Sequence, residues 1–156
     1  MGPPLTVKAT LTFIIDDGKV LLIRKKTGFG AGKINGIGGK IEEEEKPEEA
    51  AIREVEEEVG VKVCEITSAG ILYFYSTNSE PDWVVYVYRA KGFSGTPRET
   101  LEATPIWVSL DSLPFREMWE DDRHWLPHVL AGNKVEGYFF FNSDYSKMER
   151  YVLNVY

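Results

Sequence analysis

The stretch from Gly39 to Val61 reads GKIEEEEKPEEAAIREVEEEVGV, and its reading decides the fold. Pro47 suits the first turn of a helix, acidic residues follow where the helix dipole favours negative charge, and Gly60 supplies a C-terminal stop. The spacing therefore predicts a helix over 47–59. On a wheel of 100° per residue, Ile52, Val55 and Val59 fall within about 60° of one another and form the stripe to be buried. Glu54, Glu57 and Glu58 cluster roughly 140° from that stripe. Three carboxylates at i, i+3 and i+4 repel one another, so a bare helix gains nothing from them. Two readings follow: a solvated acidic face, or a site for hard divalent cations, which take oxygen ligands and relieve the repulsion.

The acidic block dominates the charge of the whole chain. Its 156 residues carry 25 Asp and Glu against 18 Lys and Arg, a net charge of −7. Residues 42–58 hold ten glutamates against Lys46 and Arg53, so they carry −8 and the rest of the chain is close to neutral. A protein gripping DNA or RNA along its backbone needs a basic face, and no nucleic-acid polymer is expected as partner. Hydrophobic residues make up 43% and charged residues 28%, an ordinary globular balance at a length that fits one domain over residues 1–156. Cys64 is the single cysteine and cannot form an internal disulfide, which excludes a stapled secreted scaffold. Apolar runs fall far short of the ~20 residues that span a bilayer, and Met1-Gly2-Pro3-Pro4 does not read as a signal peptide. The expectation is a cytoplasmic monomer that makes no use of a membrane.

Outward from the helix, the pattern is mostly β. The runs 5–15 and 19–23, joined by Asp16-Asp17-Gly18, read as a hairpin. Residues 28–39 contain six glycines and read as a long loop able to approach a ligand closely. Strands are predicted over 61–63, 69–76, 83–89, 106–110, 135–141 and 151–155, with a chain break at 92–97 and a second helix over 119–130. The fold class is α+β, a mixed sheet with one long and one shorter helix.

The spacing within the acidic stretch separates its two readings. Gly39, Glu45, Arg53, Glu54, Val55, Glu57, Glu58, Gly60 and Val61 match all nine specified positions of the Nudix hydrolase signature. The chain is thus identified as resembling that family, and the resemblance implies an α/β/α sandwich around a mixed sheet, with the signature forming a loop-helix-loop. It also implies hydrolysis of nucleoside diphosphate derivatives with Mg²⁺, for which Mn²⁺ can substitute. By position, Glu54, Glu57, Glu58 and the carbonyl of Gly38 would hold metal, with Glu102 as a further ligand or base. Arg53 would orient the carboxylates, Glu45 would brace the loop, and the general base would be Glu57 or a neighbouring carboxylate.

Other segments speak to the base. Phe29 and Asn35 in the glycine-rich loop offer a flat face and an amide that both donates and accepts. Trp119-Glu120-Asp121-Asp122 sets an indole beside adjacent carboxyls, which tend to share one proton and so can donate and accept at once. Taken alone, Asp121 and Asp122 could equally cap the following helix, with Trp119 and Trp125 in the core. The Gly28–Gly32 run, Pro114-Phe115, Met118-Trp119, Asp121-Asp122 and Gly137-Tyr138-Phe139 resemble the MutT-homologue branch, from about residue 10 onward. That branch hydrolyses 8-oxo-dGTP and related oxidised purine triphosphates to monophosphate and pyrophosphate. The resemblance implies base-edge contacts from Asn35, Asp121 and Asp122 and walls from Trp119 and Phe29, with Thr10, Lys25, Phe74 and Trp83 around the pocket. The chain departs from the branch at Ile34, Ile37, Trp83 and Glu120. Another Nudix substrate (ADP-ribose or a dinucleotide polyphosphate) and a non-catalytic Nudix-fold module are the rival readings. His124 and His128, four apart with Pro127 between them, read as structural or surface residues, and Cys64 as a small core residue.

Overall fold

A computed structural model describes residues 5–156; the reading of Met1 to Pro4 lies outside the described residues. Nine strands and two helices follow in the order β1 (Val7–Asp16), β2 (Lys19–Lys25), β3 (Ile34–Asn35), β4 (Ile37–Lys40), α1 (Pro47–Val59), β5 (Lys62–Tyr75), β6 (Trp83–Ser94), β7 (Ala103–Ser109), α2 (Asp122–Leu130), β8 (Val135–Phe141) and β9 (Met148–Val155). A single 3-10 turn, Phe115–Glu117, precedes α2. The sheet runs β3-β2-β1-β6-β5-β8-β9, with β4 added to β1 and β7 to β2. It is mixed: β1 lies parallel to β6 and β5 to β8, and the other ladders are antiparallel.

Alternation along the strands divides the core into two layers. From β1, Ala9 and Phe13 pack with Leu22, Leu72, Val87 and Phe139 beneath Trp125, Leu126 and Val129 of α2. Ile14, on the opposite face, packs with Leu21, Ile23, Ile37 and Val63 beneath Val55 and Val59 of α1. The helices thus cover opposite faces of one sheet, the expected α+β sandwich.

One edge of β1 forks. Its C-terminal half pairs with β2 through Ile14, Ile15 and Asp16, while its N-terminal half pairs with β4 through Ala9 to Thr12. Thr10 and Gly38 lie in the β4 branch of this fork. No side chain larger than glycine fits at residue 38, where a Cβ would lie 1.7 Å from the Thr10 carbonyl oxygen. The sequence pattern predicts a loop over 28–39, but its second half is strand. Ile34 and Ile37 are buried, and that burial draws the backbone into the sheet.

Other boundaries move for equally local reasons. The strands predicted at 61–63 and 69–76 are one strand, β5, carried across an irregularity in its ladder with β6 between Ser68 and Gly70. The break expected at 92–97 comes later, because β6 runs through Gly92 to Ser94 opposite Lys62. The seventh strand starts at Ala103 and the last at Met148, each three residues before the prediction. Helix α2 begins at Asp122, leaving Trp119 outside it. Cys64, expected in the core, is exposed, since its side chain falls on the outward phase of β5 between buried Val63 and exposed Glu65. Helix α1 matches its prediction at both ends; the Lys46 N–H donates to Glu49 Oε1 at 2.9 Å, and Gly60 closes it at φ +74°.

Candidate active site

The turn before α1 and the helix itself gather the signature side chains around one guanidinium. Arg53 donates through Nε and Nη2 to the two oxygens of Glu45, at 2.7 and 2.9 Å. Its Nη1 donates to Glu54 Oε1 at 2.9 Å and to Glu57 Oε2 at 3.2 Å, and Nη2 also reaches the Lys40 carbonyl at 3.1 Å. A planar fork with five donors suits this task as a lysine could not. Glu45 is held at about 2, below the usual carboxylate range, chiefly by its bonds to Arg53. Glu45 also accepts the Glu42 N–H at 3.0 Å, so it ties the loop to the helix as expected.

Two glutamates of the acidic face are not solvated. Glu54 is 8% and Glu58 7% exposed, while Glu57 stands at the surface. The Glu54 carboxylate packs against Gly39, where a Cβ would come within 2.4 Å of it. Burial raises the Glu54 carboxyl above its ordinary value, opposed by Arg53. Burial and the neighbouring Glu102 push Glu58 to about 8. Glu102 is brought there by Thr100, whose hydroxyl donates to the Glu58 carbonyl at 2.8 Å and accepts the Glu102 N–H at 3.3 Å. Glu58 Oε2 is buried without a hydrogen-bond partner.

These features fit a hard cation. The donors are all oxygens, charge is crowded in a desolvated place, and one buried carboxylate oxygen has nothing to bond. Among the described residues no three His, Cys, Asp or Glu side chains already stand together as a finished ion cage. Arg53 instead occupies Glu54 and Glu57.

A cavity of about 150 Å³ opens beside Glu58 and runs between the sheet and the loops. It brings together all nine residues expected around a base: Thr10, Lys25, Phe29, Asn35, Phe74, Trp83, Trp119, Asp121 and Asp122, with Gly38 at the Glu58 end. Lys25 Nζ holds the glycine-rich loop by the Phe29 carbonyl at 2.8 Å. Phe29 stacks on Trp119 at 5.1 Å and on Trp83 at 6.2 Å, and Lys33 Nζ lies 4.9 Å from the Trp119 ring. Asn35 Oδ1 accepts the Gly36 N–H at 2.9 Å, which leaves its amide N–H groups for a ligand.

Asp121 and Asp122 lie at the floor, 2% and 3% exposed. Neither caps α2 with its side chain. Asp121 Oδ2 accepts the Trp125 indole N–H at 2.7 Å instead. Burial raises Asp121 to about 6, and burial together with the Asp121 charge raises Asp122 well above its ordinary range. Both shifts favour the protonated form, so the pair can hold a proton between its carboxyls. Asp122 Oδ2 is buried and unpartnered.

The cavity also contains residues that sequence reasoning missed. Phe141 was legible in principle, since it shares the inward phase of β8 with Phe139. Tyr145 comes from the β8–β9 loop, where no periodicity announces it. His124 stacks on Tyr151 at 4.2 Å, away from the cavity, in keeping with a structural role.

A family profile described as NUDIX domain matches residues 5–129. Over 132 residues, 85% of each chain, the sequence is 41% identical to the oxidized purine nucleoside triphosphate hydrolase of Danio rerio. Over the same shares it is 40% identical to the protein of that name from Mus musculus. Among solved structures, a mutator MutT protein from Bacillus halodurans is similar with a TM-score of 0.82 over 95% of this chain and 97% of its own; at 23% identity that likeness concerns fold alone. A MutT NUDIX hydrolase from Burkholderia pseudomallei is 35% identical with a TM-score of 0.64, covering 70% and 88%.

Proposed function

The chain belongs to the NUDIX domain family, and from that membership we propose that it hydrolyses oxidised purine nucleoside triphosphates such as 8-oxo-dGTP to the monophosphate and pyrophosphate, clearing damaged nucleotides from the pool. The observation that carries this reading is the continuity of one cavity from the buried Asp121–Asp122 pair to the Glu58 carboxylate. A ligand lying along it presents a base to the aspartates and its phosphates to α1.

The division of labour follows from the chemistry of each end. At the floor, Asp121 and Asp122 sharing a proton both donate and accept, and Asn35 adds donors, so the trio can read the polar edge of a purine that lies against the Phe29–Trp119 stack. Thr10, Lys25, Phe74 and Trp83 complete the enclosure. At the other end, Glu54, Glu57, Glu58, Glu102 and the Gly38 carbonyl would hold a divalent cation, Mg²⁺ by preference with Mn²⁺ as substitute. Such an ion, when bound, offsets the charge of a triphosphate and polarises a phosphoryl group for attack by water. Arg53 fixes Glu54 and Glu57 in orientation. Glu57, the exposed member, or a neighbouring carboxylate accepts the proton of the attacking water. Everything needed lies within one chain, which supports action as a monomer, and no helix of the described residues is long and apolar enough to cross a membrane. A cytoplasmic location follows from the substrate pool.

The test is pyrophosphate release over a panel of canonical and oxidised nucleotides. Oxidised purine triphosphates should exceed dGTP and dCTP in kcat/KM by about tenfold or more, the discrimination one well-made hydrogen bond to a buried group supplies. A preference for ADP-ribose or a pyrimidine triphosphate would overturn the assignment.

A further inference from the structure

Tyr145 lies in the cavity wall, yet its loop is tied to a different part of the molecule. The segment between β8 and β9 is a tight turn organised by Asn142, whose N–H donates to the Lys147 carbonyl at 3.0 Å and whose Oδ1 accepts the Lys147 N–H at 3.1 Å. Within that turn Tyr145 has φ +61°, a left-handed conformation that a bulky side chain adopts only when its surroundings hold it there. The hold is visible. The Tyr145 hydroxyl donates to Asp82 Oδ2 at 2.5 Å, and the Ser76 hydroxyl donates to the same oxygen at 2.6 Å. Asp82 is itself fixed through its backbone, its N–H donating to the Phe74 carbonyl at 2.7 Å and its carbonyl accepting the Val7 N–H at 2.9 Å. Two connections at one end of the sheet, β5–β6 and β8–β9, are thus pinned to each other beside the cavity.

The ring of Tyr145 meets the aromatic wall edge-on. It is T-shaped to Phe29 at 5.7 Å and to Trp119 at 6.5 Å, and it packs on Phe141 at 5.0 Å. Phe29 is half-exposed and comes from a glycine-rich loop, so the edge of a fixed ring adds to Trp83 and the Lys25 bond in holding it against Trp119. Because the hydroxyl proton is already committed to Asp82, Tyr145 offers a base no hydrogen-bond donor. Its contribution is to the shape and stiffness of the stacking surface.

We propose that Tyr145 is a specificity-determining residue of this pocket, and Asp82 its positioning residue: the tethered ring buttresses the Phe29–Trp119 stack and so favours bicyclic over monocyclic bases. The inference rests on the proposed function. It also separates two kinds of selection within the site. Asn35, Asp121 and Asp122 distinguish one purine from another by hydrogen bonds, whereas Tyr145 acts on all purines alike through stacking area.

Steady-state kinetics of Tyr145→Phe, Tyr145→Ala and Asp82→Ala with 8-oxo-dGTP and dGTP test this. The controls are dCTP, as substrate or competitor, and inorganic pyrophosphate as inhibitor. Tyr145→Phe and Asp82→Ala should raise KM for both purine triphosphates by a common factor, on the order of 3- to 10-fold, with kcat changed less than about twofold. The constants for dCTP and pyrophosphate should stay in place, and the double variant should be no worse than the worse single one. Equal loss for dCTP and pyrophosphate would show mere loosening of the fold and overturn the proposal. A purine preference that survives unaltered in both Tyr145→Phe and Tyr145→Ala overturns this inference alone, whereas a parent protein without any purine preference overturns the proposed function with it.

Discussion

Asp122 is a carboxylic acid with an oxygen sealed in the protein and no hydrogen-bond partner for it, and its neighbour in sequence is also buried. Unfolding releases both carboxyls to water, where each ionises near 4. In the folded protein Asp121 is raised to about 6 and Asp122 well above its ordinary range, because burial penalises the charged forms. A folded pKa above the unfolded one contributes stability that is complete below the unfolded value and is lost as pH rises through the folded value. The pair therefore costs the protein stability as pH climbs from about 4 through 6 and beyond, and Glu54 and Glu58 act in the same direction. Asp122→Asn removes that residue's share. Urea melts at pH 4.5 and 7.5 should show a smaller loss across this interval than in the parent. The same variant should hydrolyse oxidised purines poorly. An identical pH dependence in the two proteins would remove the protonated acid from the pocket floor. The aspartates were visible in the sequence as adjacent letters, but their burial was not: capping a helix and lining a cavity call for the same residues in the same order, and only the Trp125 bond shows which applies.

At the scale of elements, α1 was the most legible part of the chain. Its start, its stop and the carboxylate spacing are local facts, and the helix is found over the predicted residues. The wheel nevertheless set Glu54 and Glu58 away from the core stripe, and both are buried. What buries them is not α1 but β4, whose Gly39 leaves room for the Glu54 carboxylate, and the Thr100–Glu102 turn before β7. Contacts between segments so far apart have no signature in a helical wheel. The same holds for β3 and β4, where glycines that read as loop are the condition for close approach to β1. Arg53 links these elements by bonding the loop, the helix and the end of β4 together. Arg53→Lys cannot reproduce that fork, and it should lower stability by about 1–3 kcal/mol in thermal or urea melts, with a larger fractional loss of kcat than rise in KM. A lysine variant with parental stability and turnover would show the network to be incidental.

For the molecule as a whole, the concentration of negative charge on α1 makes stability depend on what neutralises it. A cation that binds only the folded protein adds RT ln(1 + [L]/Kd), about 2.7 kcal/mol at a hundred times Kd. Magnesium should therefore raise the melting temperature of the parent protein in a saturable way, while an equal ionic strength of sodium chloride does not. Glu57→Gln should abolish most of that rise and lower kcat on the order of a hundredfold or more, with little change in the ion-free melting point because Glu57 stands at the surface. A magnesium response of parental size in that variant would remove Glu57 from the ion site. The layered architecture was legible from the order of strand and helix patterns together with the family signature. The forked edge of β1 was not, since it depends on which of two later strands claims each half.

The parallel ladder between β1 and β6 also sets a timetable for making the protein. Each of its pairs, from Val7 with Trp83 to Ile14 with Ala90, joins residues 76 positions apart. At a synthesis rate of about 5–20 residues per second, the first strand leaves the ribosome roughly 4–15 s before its partner exists. During that interval β2 and β4 can zip onto one edge, but the other edge of an apolar strand stays open, a template for wrong pairing. The hairpin and α1 can form early from local contacts, whereas the β1–β6 ladder waits for the middle of the chain, and the floor of the pocket for Asp121 and Asp122 beyond it. Slowing of translation between β1 and β6 should therefore cost yield of folded protein more than slowing after β6.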